Sequence, residues 1–155
     1  MATRVCVLVS SGRHPRSGRE RRAPLDACAL ELALRMRHCD LEVVHAGQPQ
    51  APALREYLGM GPEKITVLPA PAEADIALTL TEHIRLSKPD IVLTGKQAEG
   101  GEDSGFLPYF VAQALGYALI CDVAEAAFAG DVVEVHQALR HGQRRAVHCP
   151  MPVVL

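Results

Sequence analysis

The sequence predicts an α/β fold, a three-layer α/β/α sandwich with a mostly parallel sheet and a C-terminal β-hairpin. Three observations carry this expectation. Apolar runs of strand length alternate with helix-period stripes through the first three-quarters of the chain, in the β-α-β-α-β-α-β-α order of a parallel sheet. The opening run is apolar without alternation, as in strands covered on both faces. The last part changes character, with two strand-like runs flanking His141-Gly142, a hairpin signal. The 155 residues fit one domain, residues 1–155, with a core of useful size.

Residues 4–9 (RVCVLV) form the first strand. A polar, basic stretch over residues 10–22 follows and reads as an exposed loop. Pro24 opens a helix, as proline does at a first helical position. Leu25, Cys28, Ala29, Leu32 and Met36 follow at helical spacing as a single apolar stripe, and Arg35, Arg37 and His38 suit the negative end of the dipole. Residues 41–46 make the second strand, ended by Gly47. A short helix over 51–58 stops at Gly59-Met60-Gly61-Pro62. The third strand is 65–68, and a helix over 73–87 turns Ile76, Ala77, Leu80 and Ile84 inward. The fourth strand is 91–94. Leu107, Phe110, Val111, Ala114 and Leu115 are the stripe of the next helix, capped by Gly116. The hairpin strands are 131–138 and 144–148. The chain stops inside the apolar run Val153-Val154-Leu155, which reads as a shortened chain or as a sheet edge completed by a partner.

Composition narrows the functional classes. Net charge is −2, so the balance asks for neither nucleic acid nor an anionic membrane. No apolar run has membrane-spanning length, and the start shows no secretory signal. Five cysteines without a C-x-x-C pair read as reduced thiols in a cytoplasmic protein. Seven histidines without an H-x-x-x-H spacing give no reason to expect a metal site. No G-x-S-x-G elbow and no other catalytic constellation is visible.

In an open parallel sheet, ligands bind beyond the carboxyl ends of the strands. Here the informative end is the fourth. It delivers Gly95-Lys96-Gln97-Ala98, then a glycine-rich turn through Asp103-Ser104-Gly105 into a helix. Such a turn at a helix N-terminus can cradle a phosphate with backbone N–H groups, with the Ser104 hydroxyl and Lys96 nearby. The plain structural alternative is an Asp103 or Ser104 cap with a flexible Gly100-Gly101 turn. Glu99, Glu102 and Asp103 oppose phosphate at close range. Ser10-Ser11-Gly12 resembles an ATP pyrophosphatase loop only weakly, and no Walker or G-x-G-x-x-G pattern occurs. Arginines 13, 16, 19, 21 and 22 are read first as a solvated loop and second as an anion-attracting one.

Three segments, in order, resemble the beta subunit of electron transfer flavoproteins. They are the strand at 4–9, Pro24-Leu25-Asp26-Ala27-Cys28-Ala29-Leu30-Glu31 against the family's N-P-[FY]-D-x-x-A-L-E, and Gly95-Lys96-Gln97-Ala98 with Asp103-Ser104-Gly105 against G-K-Q-A and D-T-G. Pro150-Met151-Pro152-Val153-Val154 is similar to the family's L-P-A-V-V. The resemblance covers nearly the whole chain and the N-terminal part of the family's subunit.

The resemblance implies a Rossmann-like fold of the adenine nucleotide alpha hydrolase type, binding structural AMP or, in some members, a second FAD. It implies an alpha subunit that holds FAD, flavin dehydrogenases as electron donors, and an electron carrier without its own catalysis. Carried over by position, the AMP pocket includes Leu8, Ala23, Pro24, Leu25, Asp26, Ala46, Gly95, Lys96, Gln97, Ala98, Asp103, Ser104 and Gly105. This chain departs from the pattern in Ala23 for asparagine, in Leu25 for an aromatic, and in the loop after the first strand. Against the family's C-terminal arm, which would follow Leu155, the sequence reads as a fragment or as a degenerate paralogue. A universal-stress-like nucleotide module without flavin, and an adenylate-forming or pyrophosphatase enzyme, are the alternatives.

Overall fold

The computed structural model describes residues 1–99 and 104–155. The elements run in this order: β1 (Thr3–Leu8), β2 (Ser11–Arg13), β3 (Glu20–Arg22), α1 (Pro24–Arg35), β4 (Cys39–Gly47), α2 (Pro52–Leu58), β5 (Thr66–Pro69), α3 (Ile76–Ser87), β6 (Ile91–Leu93), α4 (Leu107–Leu115), β7 (Ala118–Leu119), β8 (Val123–Ala129), β9 (Val132–Ala138), β10 (Arg144–Pro150) and β11 (Val153–Val154). The main sheet has the order β5-β4-β1-β6-β11-β7, and its pairings are parallel. This is the Rossmann-like α/β architecture that the alternation of elements predicts.

The central strands β1 and β6 carry unbroken buried apolar runs, Val5 to Leu8 and Ile91 to Leu93, because both faces are covered. Val5, Val7 and Val9 of the first strand segment join Val43, Ile91 and Leu93 in a core with α1 and α2. Cys6 and Leu8 point the other way and join Val44, Val92 and Val154 under α3 and α4. Period-two alternation along one strand thus feeds two hydrophobic cores. Sheet order reverses at β1: the chain runs outward through β4 and β5, then crosses to β6.

Several details differ from the sequence reading. The basic stretch is an antiparallel hairpin, β2 with β3, in which Ser11 pairs with Arg22 and Arg13 with Glu20. The C-terminal hairpin of β9 and β10 is present and gains a third strand, β8. β8 reads VAEAAFA, and its alanines carry little strand propensity, so only packing reveals it. Val153–Val154 is an interior strand, hydrogen-bonded to β6 on one side and β7 on the other, and not an edge.

The inward face of α1 is also rotated from the expected stripe. Its buried residues are Asp26, Ala29, Leu30 and Ala33, while Leu25 and Cys28 are exposed. The cause is Asp26, whose carboxylate is turned into the protein. On α2, Tyr57 is fully buried. Its hydroxyl donates to the Ser10 carbonyl at 2.8 Å and accepts from the Ala23 N–H at 2.8 Å. It therefore joins the end of β1, the start of α1 and α2.

Tyr57→Phe leaves the Ala23 N–H and the Ser10 carbonyl without that partner while keeping the ring. The expected loss of stability is about 1–3 kcal/mol, read as a lower urea midpoint at unchanged m-value. An unaltered midpoint excludes the hydroxyl as a tie between these elements.

Candidate functional site

A cleft of about 1030 Å³ opens at the carboxyl edge of the main sheet, across β4, β1 and β6. This is where the strand order reverses, the position at which open α/β sheets seat ligands. Leu8 at the end of β1 and Val9 just after it, Ala46 and Gly47 from β4 and Thr94 after β6 line it. The N-terminal ends of α3 and α4 also reach it, through Asp75 and Ile76 and through Phe106 and Leu107.

The two helix ends differ. Asp75 caps α3 with its own carboxylate, accepting from the Leu78 N–H at 3.1 Å. Phe106 sits at the N-cap of α4 and offers no side-chain hydrogen bond there. Gly105, just before it, has φ +75° and lies so close to the Lys96 carbonyl that a Cβ would stand 3.0 Å away. The carboxylate of Asp75 thus matches the positive end of α3, whereas at α4 Phe106 supplies no side-chain cap and, among the described residues, the neutral Ser104 hydroxyl accepts from the Phe106 N–H.

Asp26 holds one wall together. It lies in the first turn of α1 and is buried. It accepts from the Ser10 N–H at 2.8 Å, from the Ser10 hydroxyl at 2.5 Å and from the Gly95 N–H at 3.1 Å. Burial pushes its carboxyl up to about 6, and the Ser10 and Gly95 donors hold it down against that rise. Gly95 must be glycine. A Cβ there would collide with Asp26 Oδ1 and stand 2.9 Å from the Asp26 backbone nitrogen.

The carboxylate of Glu99, read from sequence as hostile to phosphate, is paired with Arg21 of the β2–β3 hairpin at 2.9 Å. Gly12 leaves room for it, since a Cβ at Gly12 would strike Glu99 Oε2. The hairpin therefore neutralises this carboxylate and ties the loop after β6 to the opposite rim. Lys96 makes an exposed ion pair with Asp122 at 2.7 Å.

Of the residues expected at the site, Leu8, Asp26, Ala46, Gly95, Lys96, Gln97, Ala98 and Gly105 line this cleft together. Ala23 is buried beneath the hairpin on Tyr57, and Pro24 and Leu25 face outward, apart from the lining. Ser104 is exposed beside the α4 terminus, where its hydroxyl accepts from the Phe106 N–H at 3.2 Å. Asp103 lies outside the described residues. Neither Tyr57 nor His45 is singled out in the sequence analysis. Tyr57 had a signal, since a tyrosine on the inward face of a short helix must place its hydroxyl on a partner. His45 is buried and lines the cleft.

Fold and cleft define an open α/β domain of the class that receives a ligand at the carboxyl edge of its sheet. Comparison with known proteins narrows this. Residues 16–155 match the family described as the electron transfer flavoprotein domain. The chain is 40% identical over 158 residues to a protein of Chromohalobacter salexigens named electron transfer flavoprotein subunit beta, with 99% of this chain and 59% of that protein covered. The chain belongs to the electron transfer flavoprotein family and is of the beta-subunit type. It spans about three-fifths of the length of that relative. Among the described residues, no helix is long and apolar enough to cross a membrane.

The raised carboxyl of Asp26 sets a pH dependence. Its folded value of about 6 lies above the ordinary 3.8, so between these limits the folded chain binds the proton more tightly than the unfolded chain. The contribution to stability is fully present below about pH 4 and is lost as pH rises through about 6, by about 3 kcal/mol. Asp26→Asn removes that slope. Urea titrations of both proteins from about pH 4 to pH 7 will show the wild type losing stability relative to the variant as pH rises. Parallel curves refute the assignment.

Proposed function

We propose that this chain is the nucleotide-binding part of an electron-carrier subunit, with an adenine nucleotide seated in the cleft at the carboxyl edge. The observation that supports the reading is the α4 N-terminus, which has no side-chain cap from Phe106 and lines the cleft beside the Gly95–Ala98 segment at the point of strand-order reversal. Its positive end receives the phosphate, with the Gly105 turn allowing close approach. The apolar floor of Leu8, Val9 and Ala46 receives the base. AMP fits this arrangement as a structural ligand, and FAD, with a longer phosphate chain, is the other adenine nucleotide of the same shape class.

The carrier role follows from the family and not from a catalytic set. In this reading an alpha-type subunit holds the redox-active FAD, which supplies one- and two-electron chemistry when bound, and the pair accepts electrons from flavin dehydrogenases in the cytoplasm. This chain's own residues bind and position. Asp26, Ser10 and Gly95 hold the cleft wall, and Arg21 with Glu99 holds its rim. The exposed apolar side chains Leu25, Phe106 and Tyr109 supply surface for a partner.

Ser104→Glu sets a carboxylate beside the open helix terminus and is expected to weaken AMP binding by about ten-fold or more, as measured by calorimetry. Unchanged affinity removes the α4 terminus as the phosphate seat. Co-expression with an alpha-type chain is expected to yield a yellow complex with a flavin spectrum. A colourless chain that still binds AMP argues instead for a nucleotide-binding module without a redox role.

A further inference from the structure

We propose that His45 selects the base of the bound nucleotide, its Nε2 accepting a hydrogen bond from an exocyclic amine. The inference rests on the nucleotide reading above and assigns a residue and an atom to base recognition.

His45 is on β4, 4% exposed, and lines the cleft. Its Nδ1 lies 3.0 Å from the Val9 carbonyl oxygen. A carbonyl only accepts, so Nδ1 carries the proton and donates. In the neutral ring this leaves Nε2 with a bare lone pair, and that atom is buried with no partner among the described residues. A buried acceptor without a donor is costly, and a structure retains one where something else uses it. The residue above it is shaped for this. Gly47 has φ +150°, and a Cβ there would stand 2.8 Å from His45 Nε2. Glycine leaves only hydrogen between the ring edge and the backbone of the turn, so a small shift of that turn opens Nε2 to the cleft.

Position decides which ligand group arrives. The phosphate seat follows β6, and His45 ends β4, with β1 between them. Two strand spacings separate them, about 10 Å. A mononucleotide covers that span from phosphate to the far edge of its base, while its ribose hydroxyls fall short. The donor on that edge of adenine is the 6-amino group. Hypoxanthine carries an acceptor oxygen in its place, which would face the Nε2 lone pair.

The test measures binding of AMP, IMP and purine riboside 5′-monophosphate, which lacks any 6-substituent, to the purified chain by calorimetry. Wild type is expected to bind AMP about ten-fold more tightly than purine riboside monophosphate, with IMP weaker still. His45→Asn keeps an amide N–H for the Val9 carbonyl and removes Nε2, so AMP should fall to within about two-fold of purine riboside monophosphate. Histidine-selective ¹⁵N spectroscopy on the wild type reads the same contact without a variant, as an upfield shift of the His45 Nε2 signal when AMP is added. AMP binding without discrimination at position 6, or without movement of that signal, overturns the role of His45 and leaves the nucleotide reading standing. No binding of any of the three ligands overturns both.

Discussion

The cleft depends on a buried carboxylate that three donors share. Asp26 sits in the first turn of α1, where the helix dipole favours negative charge, and reaches outward to the ends of two neighbouring strands. Removing a carboxylate from water is expensive, and the rise of its titration toward 6 measures that cost. What the fold gains is geometry. Ser10 after β1 and Gly95 after β6 are held at fixed distance across the crevice, and α1 is locked in rotation. That rotation explains why Leu25 is exposed although it begins the apolar stripe. Tyr57 repeats the device one layer away, with a single hydroxyl serving Ser10 and Ala23.

Electrostatics then give the cleft a direction. At one end Asp75 already satisfies α3. At the other, α4 presents its terminus without a cap from Phe106, and Arg21 offsets the carboxylate of Glu99. In the proposed reading the anionic group of the ligand lies at the second end, since the Asp75 carboxylate opposes it at the first. A ligand with one charged end and one flat apolar end therefore has one preferred orientation, with its apolar part over Leu8, Val9 and Ala46.

Much of this was legible in the sequence, for a physical reason. Parallel strands covered on both faces leave unbroken apolar runs, so β1, β4, β5 and β6 announced themselves, as did the helices between them. That Gly95 to Ala98 and Gly105 come to the cleft was legible from their place after a strand and before a helix. The β2–β3 hairpin was hidden by its arginines, which count as loop in any hydrophobic pattern. β8 was hidden by alanine. The rotation of α1 could not be read, since periodicity counts hydrophobes and the residue that set the rotation is an aspartate. Of the turn Ala23 to Asp26, placed by resemblance in the nucleotide pocket, only Asp26 lines the cleft.

The core of this protein is otherwise apolar, and its exceptions are not scattered. Asp26, His45 and Thr81 are the buried polar or charged residues among the described ones. Thr81 spends its hydroxyl on the Ala77 carbonyl one turn back, a local helical habit. The other two flank β1 at its carboxyl end, where the sheet opens into the cleft. One is a carboxylate held by converging donors, and the other an imidazole with one nitrogen satisfied and one bare. Arg21 Nε and Ser87 Oγ are also buried without a partner among the described residues, but of the three unpartnered side chains only that of His45 belongs to a residue lining the cleft. A ligand that gives the bare nitrogen a donor removes part of the cost of burying it, so binding and folding are coupled at the same few atoms.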